Sequence, residues 1–328
     1  MITDSEIRNQ SENAYKQWCV RWRQNAKVHS QFQMKSLEDY ENSGVGRAIL
    51  VVANGRSLQR KIELIKKHQD NVDILCCDKS LGVLLDNGIT PTFCMVCDAQ
   101  VSDDKYLDKW KDQLKNTVLL INACGNTAWT KKGNWKDKYF FVNMDILKSE
   151  KEFMRISGCQ NKIAAGTNVS NAMVIMLTQC DQSGRKNFFG YDKIILIGFD
   201  YCWRSNEYYA FNDNGDGKDN YQRHTYLLDN KRELSYSSHN LVFSARWFEQ
   251  YIKTFNLPIV QCSEGTIAPL YYSDDFEHHL QYKYKSDDAK IVKPISIKRK
   301  KLTQQLNQET KALMNIGTDH FWSYKASV

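Results

Sequence analysis

Short apolar runs, each leading to a polar residue, recur along this chain and are separated by helix-length segments. They occupy 49–52, 72–77, 92–97, 117–121 and 192–197, and they lead to Asn54, Asp78, Asp98, Asn122 and Asp200; a last run at 258–261 leads to Ser263 and Glu264. Continuous apolar runs are what strands buried on both faces of a parallel sheet look like. Strands alternating with helices of about ten to fifteen residues imply an α/β, Rossmann-like, mostly parallel sheet with helices on both faces. In such sheets the residues used for chemistry gather at the carboxyl ends of the strands. Asn54, Asp78, Asp98, Asn122, Asn126, Asp200 and Glu264 all fall there. Polar residues placed for solubility alone have no reason to choose one end, so this recurrence is the strongest sign of a site in the sequence.

With 328 residues the chain fits one large α/β domain with extensions, or two small domains. Four prolines and no Gly/Ser-rich spacer argue against flexibly linked domains. Residues 1–44 are polar and helix-prone, with Ala14, Trp18 and Trp22 at intervals of four, and are expected as an N-terminal helical extension. Residues 45–268 would form the Rossmann-like domain, with helices at 57–69, 79–86, 103–115, 169–180 and 241–255, a further strand at 138–143, and a loop from 201 to 240. Residues 269–328 are a basic and aromatic C-terminal extension carrying Tyr271, Tyr272, His278, His279, Tyr282 and Tyr284, then Lys298-Arg299-Lys300-Lys301.

No apolar run approaches the roughly eighteen residues of a membrane span. The N-terminus has no basic region followed by an apolar one, so a secretory leader is not expected and a cytoplasmic protein is. In that setting the ten cysteines are expected as reduced thiols. A net charge of +7 suits a polyanionic partner such as a nucleotide, a nucleic acid or an anionic membrane, without demanding one.

Two turns carry the best site signals. In Ala53-Asn54-Gly55-Arg56-Ser57-Leu58, Gly55 permits close backbone approach, and Ser57 is placed to cap a helix whose first N–H groups would form an anion site. The loop is shorter and poorer in glycine than the dinucleotide or Walker loops, so an ordinary βα turn is the competing reading. Gly166-Thr167-Asn168-Val169-Ser170-Asn171 is the second: either a plain N-cap by Thr167 or Asn168, or a second set of donors for a phosphate. Cys94-x-x-Cys97 has a metal-like spacing but no matching second pair, and residues three apart on a strand face opposite ways, so no metal site is expected. His239, just ahead of the 241–255 helix, is the histidine best placed for acid–base work, although His224, His278 and His279 are indistinguishable from it on their own. Tyr208-Tyr209-Ala210-Phe211 either packs or presents a phenol to a phosphate.

Five motifs in order then resemble a known family: the 54–58 loop, Asn87-Gly88-Ile89-Thr90-Pro91 leading to Asp98-Ala99-Gln100, the 166–171 turn, the 194–200 strand, and Cys262-Ser263-Glu264-Gly265-Thr266. Over roughly residues 45 to 268 the chain resembles the MptE-like proteins, which include the motility-associated-factor (Maf) glycosyltransferases. It is also similar to bacterial lipooligosaccharide sialyltransferases, which use CMP-activated sugars. The resemblance implies transfer of a nonulosonic, sialic-type acid from a CMP donor to an acceptor hydroxyl on a glycan or a protein, with neither cofactor nor metal; the basic tail leaves a nucleic-acid acceptor open as well. It makes His239 the catalytic base. Asn54, Gly55, Arg56, Ser57, Gly166, Thr167 and Asn168 would contact the nucleotide, with Tyr201 and Tyr209 facing its phosphate. The strand-end residues Asp98, Asn126, Asp200, Ser263 and Glu264 complete the expected binding set. Arg56 stands where the family has proline, and its guanidinium would lie beside the phosphate, able to bind it bidentately.

The family's archaeal branch resembles a pterin diphosphokinase, which uses ATP and carboxylate-held Mg²⁺. Asp78, Asp98 and Asp200 offer carboxylates for it. However, Asp98-Ala99-Gln100 has one acid where that branch has Asp-x-Asp, and 122–126 lacks its histidines. A third reading, a non-catalytic nucleotide- or nucleic-acid-associated protein, rests on the basic tail. Oligomeric state is left open.

Overall fold

The computed structural model describes residues 4–100, 107–145, 147–164, 166–179, 187–204, 210 and 225–282. The apolar runs become strands: β1 (Ala48–Val52), β2 (Asp73–Cys77), β3 (Phe93–Val96), β4 (Val118–Asn122), β5 (Asp137–Met144), β6 (Lys162–Ala164), β7 (Lys193–Ile197), β8 (Thr225–Leu228), β9 (Leu234–Ser237) and β10 (Ile259–Gln261). The helices are α1 (Asp4–His29), α2 (Ser57–His68), α3 (Asp78–Asp86), α4 (Ala128–Lys132), α5 (Glu150–Ser157), α6 (Val169–Gln179), α7 (His239–Phe255) and α8 (Phe276–Leu280).

Eight strands form one sheet in the order β10-β7-β1-β2-β3-β4-β5-β6, with every neighbouring pair parallel. Alternate residues of a strand serve opposite cores. Leu50 and Val52 join one cluster with Leu58, Ile62 and Ile65 of α2 and Leu81 and Leu84 of α3. Ile49 and Val51 join the other, with Met173 to Leu177 of α6 and Phe248, Tyr251 and Ile252 of α7. Helix α6 is apolar almost all round, as a helix enclosed between sheet and α7 must be. From β1 the chain steps outward to β6, then resumes on the other side of β1 as β7. That reversal makes the cleft between β1 and β7 a topological switch point, where open α/β sheets bind ligands.

Several expectations need correcting. Among the described residues, 107–113 form successive tight turns and Leu114–Asn116 a single 3-10 turn, rather than an α-helix. Trp110 N donates to Leu107 O and Gln113 N to Trp110 O, and a spacing that buries Leu107, Trp110 and Leu114 is met equally well by such turns. The 201–240 stretch contains the antiparallel hairpin β8–β9, which Asp229 braces by accepting from the N–H groups of Lys231 and Glu233 and from Ser235 Oγ. Helix α7 begins two residues early, at His239, because Ser238 caps it by accepting from Leu241 N at 3.2 Å. Helix α5 had no counterpart in the expectations.

In α1, Trp22 packs edge-on against Phe153 of α5, with ring centroids 5.8 Å apart. Cys94 and Cys97 do face opposite ways: Cys94 pairs in register with Cys76 in one core, while Cys97 packs on the other. The nine cysteines among the described residues are free thiols. No described helix is long and apolar enough to cross a membrane. Tyr284 and the 298–301 basic cluster lie outside the described residues.

Candidate functional site

At the switch point the turns after β1 and β7 interlock. Gly198 has φ +78, and a Cβ there would collide with the Ala53 carbonyl. Gly55 N donates to Gly198 O at 2.9 Å, and a Cβ at Gly55 would stand 2.6 Å from Asp200 Cγ. Only glycine at both places lets the two turns approach this closely. Asp200 then reaches across to α2, where Ser57 N donates to its Oδ2 at 2.8 Å and Ser57 Oγ donates to its Oδ1 at 2.5 Å. Ser57 Oγ in turn accepts from Gly198 N at 3.0 Å. Ser57 therefore does not cap its own helix. The Asp200 carboxylate does so, at the positive end of the helix dipole. Leu58 N and Gln59 N bond to the carbonyls of Gly55 and Arg56, so the N–H groups of residues 57–59 are taken within the protein. Burial raises the Asp200 carboxyl to about 6, outweighing the opposing effect of both Ser57 bonds and of the nearby Arg60 and Arg56 charges.

The turn into α6 is built differently. Gly166 packs so closely that a Cβ would lie 2.5 Å from Ala172 N. Asn168 is the cap, its Oδ1 accepting from Asn171 N at 2.9 Å, while Thr167 Oγ1 accepts from Asn171 Nδ2 at 2.9 Å. The N–H groups of Val169 and Ser170 lie in the first turn and have no acceptor within the helix. Both residues face the cavity described next.

That cavity, of about 380 Å³, opens over the carboxyl ends of β1, β2, β3 and β7. Its walls are Asn54 and Gly55 after β1; Cys77, Asp78 and Lys79 at the end of β2; Cys97 and Asp98 after β3; and Asn168 to Ser170 at the head of α6. Residues 198–203 after β7 and Leu241 of α7 complete it. Its size is within the roughly 300–1,000 Å³ of small-molecule sites. Asn54 is buried, and its Oδ1 has no hydrogen-bond partner, an orphaned acceptor that a ligand donor would satisfy. Asp78 is buried, and burial pushes its carboxyl up to about 6; the Lys79 charge opposes this and the Asp98 charge adds to it. Asp98 is exposed, with its Oδ1 accepting from Gln100 N at 2.7 Å. Asp78 and Asp98 thus face the cavity from adjacent strand ends, a donor pair that hard divalent cations favour. Among the described residues no group of three or more His, Cys, Asp or Glu is placed to hold a metal ion.

Of the expected binding residues, the structure brings Asn54, Gly55, Asp98, Asn168, Asp200 and Tyr201 to the cavity. The Tyr201 hydroxyl is already committed, donating to Asn171 Oδ1 at 2.6 Å. The others stand back from it. Ser57 lies beneath the wall, bonded to Asp200. Arg56 is half-buried next to Asp200, and Gly166 and Thr167 support α6 from behind. Asn126 turns away, its N donating to Asp98 O and its Oδ1 accepting from Ala128 N. Ser263 is fully buried, accepting from Phe199 N at 2.8 Å, and Glu264 pairs with Arg60 at 3.5 Å. His239 is exposed in the first turn of the helix that contributes Leu241 to the wall. Tyr208, Tyr209, Phe211 and His224 lie outside the described residues.

Sequence reasoning missed Lys79 and Trp203, while Ser170 belongs to the 166–171 turn already singled out. Lys79 carried a signal, since it follows a strand-end aspartate at a helix start. Trp203 carried none. It reaches the wall because its backbone bonds to Tyr236 of β9 in both directions, a long-range pairing that leaves no local pattern.

Fold and site together define a Rossmann-like α/β protein with a ligand cavity at its switch point. The chain belongs to the MptE-like family: the family described as "6-hydroxymethylpterin diphosphokinase MptE-like" matches residues 21–206. Its fold is similar to the structure of a Maf glycosyltransferase from Magnetospirillum magneticum AMB-1, with a TM-score of 0.55 and 14% sequence identity. That likeness covers 93% of this chain and 44% of the other, so this chain spans less than half the length of that protein. No curated protein sequence matches the chain.

Proposed function

We propose that the protein is a glycosyltransferase that takes a nonulosonic, sialic-type acid from a CMP donor and transfers it to an acceptor hydroxyl. The observation that carries this reading is the open head of α6. Val169 and Ser170, first-turn residues whose N–H groups have no acceptor within the helix, line the cavity together with Asn54, whose Oδ1 has no hydrogen-bond partner. N–H and hydroxyl donors aimed at one spot are what a departing phosphate needs. In the proposed step His239 removes the acceptor's hydroxyl proton as the oxygen bonds to the anomeric carbon. The bond from that carbon to the CMP phosphate oxygen breaks, and the phosphate leaves with the electron pair. Val169 N and Ser170 stabilise its charge, with no metal assigned to the step. Residues 45–268 would be the catalytic unit, acting in the cytoplasm, with 1–44 and 269–328 as extensions. The acceptor would be a glycan, a protein hydroxyl or a nucleic acid. The Maf likeness in fold supports transfer chemistry by analogy alone.

A diphosphokinase reading is favoured by one observation, the Asp78 and Asp98 carboxylates at adjacent strand ends on the cavity. Bound there, Mg²⁺ would neutralise charge on a polyphosphate. Thermal stabilisation by CMP, UDP, GDP and ATP–Mg²⁺ separates the two, because a ligand that binds only the native state raises its apparent stability. The transferase reading expects CMP alone to give a strong shift, and a His239→Ala variant to lose on the order of a hundredfold or more in transfer rate with CMP binding intact. Stabilisation by ATP–Mg²⁺ alone, or full transfer activity in the histidine variant, would defeat it.

A further inference from the structure

One buried amide ties together three of the segments around the cavity. Asn171 is wholly shielded from solvent near the head of α6. Its Oδ1 accepts from the Tyr201 hydroxyl at 2.6 Å, and its Nδ2 donates to Thr167 Oγ1 at 2.9 Å and to the Ser244 carbonyl of α7 at 3.2 Å. The amide cannot be turned round, since a flip would set Oδ1 against the Ser244 carbonyl, two acceptors with no proton between them. Tyr201 stays a donor, because burial holds its phenol well above the ordinary tyrosine range. Tyr201 is itself anchored to the start of α7: its carbonyl accepts from Ser237 Oγ at 2.7 Å, one residue before the Ser238 cap.

We infer that Asn171 is a positioning residue: its side-chain amide sets α7, and with it His239, against the donor turn of α6. The catalytic half of this inference rests on the transferase reading above. Within the α6 turn that side chain holds only Thr167 and takes no part in the cap. The cap uses the backbone N–H of Asn171, bonded to Asn168 Oδ1 at 2.9 Å, which any substitution except proline preserves. Losing the amide should therefore spare nucleotide binding and impair transfer.

The test compares Asn171→Ala and the near-isosteric Asn171→Asp with the parent protein, well below their melting temperatures. CMP–N-acetylneuraminic acid serves as donor and lactose as acceptor. Affinity for CMP should stay within about twofold while kcat falls on the order of ten- to a hundredfold, the scale expected when reacting groups shift by an ångström. In Asn171→Asp the deficit in kcat relative to the parent at the same pH should shrink as pH falls, because a protonated carboxyl again donates to the Ser244 carbonyl. Backbone hydrogen exchange over residues 239–245 should quicken in both variants with no ligand present. A lowered melting temperature with kcat and exchange unchanged would reduce Asn171 to a packing role. Equal losses in CMP affinity and kcat would make it part of the donor site instead. Either result overturns the inference. Should the parent protein fail to bind CMP, the nucleotide reading falls, and exchange over 239–245 still decides whether Asn171 holds α7.

Discussion

The turns into α2 and α6 have the same plan, a strand, a glycine, small polar residues and a helix, yet they end in opposite states. At α2 the first N–H is met by Asp200, and the next two by carbonyls of its own turn. At α6 the cap is local, and Val169 and Ser170 are left facing the cavity. The difference lies outside both turns. Strand β7 lies beside β1 and delivers a carboxylate to α2, whereas α6 follows the edge strand β6, which has a neighbour on one side only. A helix start is therefore a donor site only if the neighbouring strand leaves it open, and the two turns can be told apart only once strand order is known.

The largest effect should come from breaking the closed turn. Asp200→Ala strands the Ser57 N–H and hydroxyl in a buried place, and at roughly 1–3 kcal/mol for each unsatisfied group the loss should be about 3 kcal/mol in chemical denaturation. An unchanged midpoint would mean that water replaces the carboxylate without cost, and the contrast between the turns would vanish.

A smaller effect follows from the state of that carboxyl. With its pKa raised to about 6, Asp200 contributes stability that is fully present below the ordinary carboxylate range near 4 and is lost as pH rises through about 6. Asp200→Asn should flatten this part of the pH profile, gaining on the parent between pH 4 and pH 7. A parallel offset at all pH values would show that Asp200 titrates as an ordinary surface acid. The smallest change in stability belongs to the open turn. Ser170→Ala should stay within about 0.5 kcal/mol of the parent. It should also weaken CMP binding by about fivefold, the loss of one modest hydrogen bond. An unaltered affinity would remove the α6 head from the nucleotide site.

How much of this was legible depended on the range of the interaction. Parallel strands buried on both faces need continuous apolar runs, so β1, β2, β3, β4 and β7 were readable, and the rule that ligands bind at strand ends located Asn54, Asp98 and Asp200. Helix α5 was also legible in principle, through Glu150 and Glu152 in its first turn and Gly158 at φ +77 just past its end. Partnerships were not. Nothing near Ser57 announces that its hydroxyl serves Asp200, and nothing near Ser263 announces that it is buried against Phe199. Ser263 and Asn126 are strand-end polar residues that bond to backbone rather than line the cavity, a distinction that periodicity does not contain. The β8–β9 hairpin escaped because its strands are short and its turn is braced by one aspartate rather than by a glycine pair.

The register of β1 against β7 has a consequence for how the chain folds. Ala48 pairs with Lys193 and Val52 with Ile197, so the middle of the sheet is closed by residues more than a hundred positions apart. Strands β1 to β5 pair with neighbours in sequence and can assemble as they are made, whereas this seam must wait. Until residue 200 arrives, β1 presents an unpaired edge and the head of α2 lacks its cap. A chain halted before that point would carry an open, apolar strand edge, the kind of template that invites pairing with other chains.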